Sequence, residues 1–130
     1  MMLRAALALV LAAAGFASPD LASAQVQRQF PKNALRGSIV VGEPPTVELN
    51  GRATRFAPGA RIRNQSNMIA MSGTLVGAKL LVHYTLDSMD QLNDVWILTP
   101  AEAAKRPWPA TPQQAEAWQF DATTQTWSRP

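Results

Sequence analysis

Two apolar runs with a mainly polar segment between them dominate the middle of the chain. Residues 78–86 (AKLLVHYTL) and 92–98 (LNDVWIL) are rich in β-branched, aromatic and leucine residues, and residues 87–91 (DSMDQ) separate them. This pattern predicts an antiparallel hairpin with a loop of about five residues. Since it is the densest apolar block after the N-terminal segment, we expect it to form the centre of the core.

The N-terminal 24 residues have the pattern of an export signal. Arg4 precedes an apolar run over residues 5–17, and Ala22-Ser23-Ala24 supplies the small residues of a cleavage site. The run is shorter than the roughly 20 residues that a membrane span needs. We therefore predict cleavage after Ala24 and a periplasmic or secreted protein, with an uncleaved N-terminal anchor as the alternative.

Composition limits what the remainder can be. Residues 25–130 suffice for one domain with a single modest core. We expect a flexible leader over 25–34, and one β-rich domain over 35–130 whose segment 99–130 is helical and tryptophan-rich. The chain has no cysteine, which excludes disulfides and thiolate chemistry, and its net charge of +3 is a mild excess that specifies no partner.

Short extended segments divided by turn signals precede the central hairpin. Asn50-Gly51 is a strong hairpin signal because both residues accept positive φ. Pro44-Pro45 and Pro58-Gly59 are expected to end the strands before them, since proline cannot donate to a β-ladder. The predicted strands cover residues 35–41, 46–49, 52–56, 60–63 and, as a buried strand, 68–71.

The last third of the chain changes character. Thr99-Pro100-Ala101-Glu102 and Thr111-Pro112-Gln113-Gln114 each place a capping threonine before proline, with Glu or Gln three residues after the threonine. This is the capping-box pattern, and it predicts two short helices. A small hairpin or extended segment is expected over 119–128.

The sequence as a whole predicts a mainly β fold. We expect a small antiparallel barrel, oligonucleotide-binding-like, or a half-barrel, with two short C-terminal helices. Trp108, Trp118 and Trp127 are expected to plug one open end of the barrel; an exposed aromatic platform for a sugar or base is the alternative. The predicted core comprises Leu35, Ile39, Val41, Val47, Leu49, Phe56, Ile62, Leu80, Val82, Tyr84, Val95, Ile97 and Trp118.

Catalytic patterns are sparse. His83 is the only histidine and is expected to be exposed or edge-facing on its strand. Ser72 or Ser88 could complete a triad with His83 and Asp94, but no Gly-x-Ser-x-Gly elbow is present. Asp87 and Asp90 lack the spacing of a calcium loop. We therefore predict no catalytic residue, no metal and no cofactor.

Four arginines lie within twelve positions. By strand alternation Arg52 and Arg55 point to opposite faces, whereas Arg61 and Arg63 share one face, close to the polar loop over residues 64–67. The predicted binding residues are Arg52, Arg55, Arg61, Arg63, Asn64 and Asn67. The alternative is that these charges are solvated and discourage pairing at a strand edge.

The layout of short motifs over residues 35–98 resembles a known class of exported domain. Leu35-Arg36-Gly37-x-Ile39, Val47-x-Leu49-Asn50-Gly51 and Leu80-x-Val82-x-Tyr84 are similar to motifs of small exported bacterial β-barrel domains of unknown function. The resemblance implies a barrel like the oligonucleotide-binding one in shape. It assigns no catalytic or ligand residue, and the tryptophan-rich tail departs from it.

These observations favour a non-enzymatic accessory or binding domain of the cell envelope. An envelope protein or an anionic polymer is the expected partner, and specific nucleic-acid binding is not expected. Two alternatives remain: a small hydrolase centred on His83, and a structural subunit that assembles through a strand edge.

Overall fold

A computed structural model describes residues 27–130, so the predicted signal peptide lies outside the described residues. Within this range the chain forms eight strands and two short α-helices, with a 3₁₀ turn over Ser72–Leu75. The strands are β1 Leu35–Val41, β2 Thr46–Leu49, β3 Arg52–Arg63, β4 Ile69–Ala70, β5 Lys79–Leu86, β6 Leu92–Ile97, β7 Gln119–Asp121 and β8 Thr126–Ser128. The helices are α1 Pro100–Ala103 and α2 Pro112–Ala117.

Five of these strands close into a barrel. β1 pairs antiparallel with β2 on one side and with β5 on the other, β2 continues to β3, and β5 continues to β6. A parallel pairing of β3 with β6 closes the ring. The predicted mainly β fold is confirmed, as is the predicted hairpin of β5 and β6, and the barrel is closed rather than half-open.

The barrel interior is filled by alternate residues of each strand. In β1 the buried positions are Leu35, Gly37, Ile39 and Val41, with half-buried residues between them, as the period of two requires. The core contains eleven buried side chains, ten of which were predicted, and Leu92 is the addition. Of the other three predicted members, Trp118 packs against a different cluster, and Leu49 and Leu80 are partly buried against this core. Burying each large aliphatic side chain contributes roughly 1.5–3 kcal/mol, so this cluster is the main source of stability.

β3 differs from the prediction. Residues 57–59 were expected to separate two strands, but one strand runs from Arg52 to Arg63. Its register shifts between Phe56 and Arg61, and Gly59 there has a φ of 78°. The irregular stretch contains Pro58, and the first part of β3 pairs with β2 while its last part pairs with β6.

The prediction of a buried strand over 68–71 is wrong in part. β4 exists, but Met68, Ile69 and Met71 are 63%, 57% and 69% exposed. Two residues of β4 pair with the end of β3, outside the closed ring. Ile69 is therefore exposed, whereas Ala70 is partly buried against the barrel core.

Both predicted helices are confirmed, with their caps. The Thr99 hydroxyl accepts from the Glu102 amide at 3.2 Å, and the Glu102 carboxylate accepts from the Thr99 amide at 2.9 Å, which completes a capping box. Thr111 caps α2 through the Gln114 amide, while the Gln114 side chain accepts from Ala110 instead of Thr111. β7 and β8 form the predicted terminal hairpin.

A second apolar cluster lies on the outside of the barrel wall. Its buried members are Phe30, Ala34, Leu98, Trp108 and Trp127. The prediction that the tryptophan rings plug one open end of the barrel is wrong, because Trp108 and Trp127 pack in this outer cluster, with Trp118 partly buried against it. β5 shows this most directly, because successive residues Val82, His83 and Tyr84, which point to opposite faces, are all buried.

The segment before β1 is part of this cluster. Residues 25–34 were expected to be a flexible leader, yet Arg28, Phe30 and Ala34 are buried. Phe30 packs edge-on against Trp96 and Trp108, with ring centroids 5.5 and 5.9 Å apart. Packing of Phe30 against these aromatic rings holds the segment against the sheet.

A close approach at Gly37 gives a test of the barrel packing. A Cβ there would lie 3.0 Å from Cε1 of Tyr84 and 3.1 Å from the Asn50 side chain. Because the Tyr84 ring is held in the core, we expect Gly37→Ala to lower the free energy of unfolding by about 1–2 kcal/mol in urea denaturation. Gly73→Ala is the matched control, since nothing lies within 4 Å of that position, and it should change stability by less than about 0.5 kcal/mol. Equal stability of the two variants would contradict this packing.

Candidate functional site

A row of three side chains crosses the outer face of the sheet. Arg36 of β1 is in register with His83 of β5, and His83 is in register with Trp96 of β6. Their neighbours along each strand enter the barrel core, so these three point outward. The row is the floor on which the tail packs.

Trp108 covers the middle of this row. Its ring stacks on that of His83 with centroids 4.0 Å apart and planes 22° apart, and Phe30 meets His83 edge-on at 4.5 Å. His83 is 0% exposed, so the prediction of an exposed or edge-facing histidine is wrong. Strand alternation correctly placed it opposite Val82 and Tyr84, but the ring that covers it comes from 25 positions further along the chain.

His83 is held neutral. Burial, then the charges of Arg36 and Arg28, lower the pKa of His83 from its ordinary 6.5 to about 2. The Arg36 Nε and Nη2 atoms lie 3.2 and 3.1 Å from Nε2 of His83. Because a guanidinium can only donate, Nε2 is the acceptor and the ring proton is on Nδ1, which has no hydrogen-bond partner among residues 27–130.

Arg36 is fixed by neutral acceptors. Besides His83, its guanidinium donates to the Ala103 carbonyl at 3.1 Å and to the Glu102 carbonyl at 2.9 Å. Burial and the charge of Arg106 lower the pKa of Arg36, and Glu102 opposes them. Within residues 27–130 no carboxylate forms a salt bridge with Arg36. Its charge is thus oriented but not neutralised.

The nearest carboxylate is already engaged. Glu102 takes two hydrogen bonds from Arg28, whose guanidinium also donates to the carbonyls of Asn64 and Ile97 at 2.8 Å each. Burial raises the pKa of Glu102, but the bonds from Arg28 and Thr99 outweigh that effect and hold the pKa below its usual value. The pair joins the N-terminal segment to α1, and among residues 27–130 it leaves Arg36 without a carboxylate in direct contact.

Arg36 opens onto a groove of about 610 Å³, which we call the Arg36 groove. Three arginines line it together with two tryptophans, and its lining contains no Asp or Glu. Arg36 lies 5.5 Å from the ring centroid of Trp108, and Arg129 lies 5.4 Å from that of Trp118. The full lining is Arg36, Arg106, Pro107, Trp108, Ala110, Gln114, Trp118 and Arg129.

The sequence around Trp108 explains how residues 106–108 come to line the Arg36 groove. Trp108 is flanked by Pro107 and Pro109, which hold the segment extended. The Trp108 indole donates to the Ala34 carbonyl and the Arg36 amide donates to the Pro109 carbonyl, each at 2.9 Å. These two bonds dock the segment along the edge of β1 and bring Arg106 beside Arg36.

The chemistry available in the Arg36 groove is recognition of anions. Guanidinium groups bind carboxylates and phosphates in a planar, two-point geometry. Tryptophan rings add apolar surface that a ring or chain attached to the anion can contact. In the described part of the chain, no group of three His, Asp or Glu side chains could hold a metal ion.

The predicted arginine strip is divided by the structure. Arg61, Arg63 and Asn67 line one further groove, of about 440 Å³, with Arg61 3.5 Å from Asp94. Arg52 and Arg55 lie at the other end of β3, where it pairs with β2. Their role in binding stays a prediction.

The hydrogen bonds of Asn64, another predicted binding residue, are made within its own loop and to Arg28. Its side-chain oxygen accepts from the amides of Ser66 and Met68, each at 2.9 Å. Its carbonyl accepts from Arg28 at 2.8 Å. These bonds shape the loop that carries Asn67.

Sequence reasoning did not select Arg36, Arg106 or Arg129. A local signal was present, since Arg106 and Arg129 each lie two residues from a tryptophan. Basic residues interleaved with aromatic ones are typical of binding surfaces. Nothing local indicates that Arg36, seventy positions before Arg106, joins them.

Comparisons with known proteins do not indicate a function for this chain. No protein-family model matches the chain, and neither a curated protein nor a solved structure is detectably similar to it. Over residues 27–130, the structure contains no helix of the length and apolarity that crossing a membrane requires.

The low pKa of His83 predicts acid sensitivity of the fold. Between about pH 6.5 and 2 the unfolded chain binds a proton at His83 that the folded chain does not. The free energy of unfolding should therefore be highest above pH 6.5 and decrease below it, with a slope approaching 1.4 kcal/mol per pH unit, roughly one proton. Urea denaturation from pH 7.5 to 5 measures this, in a range where Glu102 stays ionised.

His83→Gln is the matched variant, because glutamine keeps a hydrogen-bond acceptor for Arg36 but does not titrate. Its stability should be nearly independent of pH between 7.5 and 5. A slope equal to that of the unmodified protein would mean that another group causes the acid sensitivity.

Proposed function

We propose that this protein is an exported, non-enzymatic binding domain of the cell envelope that receives anionic groups of a polymer in the Arg36 groove. The export signal and the arginine-rich surface of the sequence support the address and the partner class. The single observation on which the site depends is Arg36, a half-buried guanidinium oriented entirely by neutral acceptors.

An anion would complete the electrostatics of this groove. Charged groups removed from water are normally paired, since desolvation costs several kcal/mol per ion. Here the charges of Arg36 and Arg106 oppose each other, while the nearest carboxylate, Glu102, is bound to Arg28. A phosphate or carboxylate between the arginines would offset both the desolvation and the repulsion.

Preorganisation of the Arg36 side chain also favours anion binding. Since His83, Ala103 and Glu102 already fix the Arg36 guanidinium, binding an anion there orders one side chain less. The positive potential of three arginines in a concave surface also raises the local anion concentration. An extended polymer should bind with the highest affinity, because its adjacent anionic groups can contact Arg106 and Arg129 as well.

The test uses residues 25–130 titrated with two defined polyanions, polyphosphate and polygalacturonate, at 50 and 300 mM salt. We expect salt-sensitive binding that Arg106→Gln plus Arg129→Gln weakens about tenfold or more, because each charged hydrogen bond contributes roughly 1.5–3 kcal/mol. Isothermal calorimetry gives the dissociation constants, and circular dichroism confirms folding.

Arg52→Gln plus Arg55→Gln is the control of equal charge, and it should change the affinity less than twofold. Equal weakening by both double variants would show that net charge alone attracts the polymer. Weakening confined to Arg61→Gln plus Arg63→Gln would transfer the site to the arginine strip predicted from the sequence. Capture of an acidic protein segment, with no binding of either polyanion, would replace the polymer as partner.

The hydrolase alternative receives no support from the geometry. The Nε2 atom of His83 is occupied by Arg36 and its ring lies beneath Trp108. Asp94 pairs with Arg61, and its amide contacts Thr85 rather than His83.

Assembly through a strand edge is a second candidate. β4 pairs with β3 on one side only, and Met68, Ile69 and Met71 are exposed beside it. Natural edge strands usually bear charges or proline that oppose association. An interface here predicts a mass that rises with concentration in light scattering and returns to that of a monomer in Ile69→Lys. A constant monomer mass up to about 500 µM, a thousandfold above a sub-micromolar dissociation constant, would remove this candidate.

A further inference from the structure

A second outward grid of side chains lies where β3 pairs with β6. The parallel register places Arg61 beside Asp94 and Arg63 beside Trp96. The residues between them, Ile62 and Val95, are buried in the barrel. The four polar and aromatic side chains therefore share one outer surface, roughly 5 Å apart across the strands and 7 Å apart along them.

This grid forms the floor of a groove of about 440 Å³, which we call the Trp96 groove. Asn67 enters it from the loop after β3, and residues 27–29 form the opposite wall. Trp96 is half-buried, and Phe30 packs edge-on against it with centroids 5.5 Å apart. One flat aromatic ring is thus held in place in the floor of a polar groove.

The polar groups here differ from those of the Arg36 groove. Arg61 lies 3.5 Å from Asp94, and Arg28 is paired with Glu102, so two of the three arginines lining the groove have a carboxylate partner. Asp94 would repel phosphates and carboxylates of a polyanion. A carboxylate, a carboxamide and a guanidinium together supply both acceptors and donors in planar pairs, which suits vicinal hydroxyl groups.

We propose that the Trp96 groove binds a neutral saccharide ring. The C–H face of the sugar packs on the Trp96 indole, where apolar area and the ring quadrupole favour it. Asp94 accepts from two neighbouring hydroxyls, while Asn67 and Arg63 donate to ring or hydroxyl oxygens. A binding surface with a few convergent polar groups around an aromatic ring is the usual form of a small-molecule site. This inference is independent of the Arg36 groove.

The experiment titrates ¹⁵N-labelled residues 25–130 with three neutral tetrasaccharides, made of β-1,4-linked N-acetylglucosamine, β-1,4-linked glucose or α-1,4-linked glucose. Tetragalacturonate is the charged comparison. We expect at least one neutral probe to shift the Trp96 indole resonance saturably, with a dissociation constant on the order of 1 mM. The shift should persist at 300 mM salt.

Two conservative variants define the site. Asp94→Asn keeps the shape but removes the charge, and Asn67→Gly removes the carboxamide while accepting the positive φ of 64° found there. Each should weaken saccharide binding about fivefold or more, near 1 kcal/mol for one lost hydrogen bond. Asp90→Asn, in the loop between β5 and β6, is the matched control and should leave the affinity unchanged.

Arg106→Gln plus Arg129→Gln should also leave saccharide binding unchanged, which separates this site from the anion site. The proposal is overturned if no neutral probe shifts the Trp96 indole up to about 20 mM, twenty times the expected dissociation constant. Shifts that survive both Asp94→Asn and Asn67→Gly would overturn it as well. Binding of tetragalacturonate alone, lost at 300 mM salt, would make the groove a second anion site instead.

Discussion

The contact between His83 and Trp108 is the constraint on which the rest of the structure depends. A five-stranded barrel of this kind can leave its outer face in water, yet here an imidazole at the centre of that face is fully buried. To cover it, the N-terminal segment and the tryptophan-rich tail must both pack on β1, β5 and β6. The molecule therefore has two apolar layers that share one sheet, and β5 is buried on both faces over residues 82–85. In a chain without cysteine, the second layer supplies stabilisation that disulfides provide in many small domains.

Burial of the row formed by Arg36, His83 and Trp96 affects the charges of its two titratable residues. His83 stays neutral because water is excluded, and a neutral imidazole can accept from Arg36, whereas an imidazolium would repel it. Arg28 and Arg36 are both held by several hydrogen bonds, but their charges are compensated differently. Arg28 is neutralised by Glu102 and joins segments of the fold; Arg36 is oriented by neutral oxygens and nitrogens and directs its charge into a groove. Arg28 therefore has a structural role and Arg36 is a candidate binding residue. The difference arises because the Glu102 carboxylate pairs with Arg28 and not with Arg36.

The two grooves lie on either side of the covered histidine, at opposite ends of the row Arg36–His83–Trp96. One is lined by three arginines and no acid, and the other combines an aromatic ring with a paired aspartate and arginine. Phe30 contacts His83, Trp96 and Trp108, so the N-terminal segment fixes the rings of both grooves. The domain thus presents two surfaces of different chemistry on one sheet.

The sequence by itself determined the parts of this protein that depend on neighbours in the chain. The turn at Asn50-Gly51, the hairpin of β5 and β6, the caps at Thr99 and Thr111 and ten of the eleven core positions were predictable, because turn chemistry, capping and strand period act over a few residues. Tertiary structure alone decided the rest. The continuity of β3 through its irregular stretch accompanies closure of the ring by β6, and the burial of His83 requires a ring from Trp108. The Arg36 groove joins residues 36, 106 and 129, which only the packing of the tail on the sheet brings together.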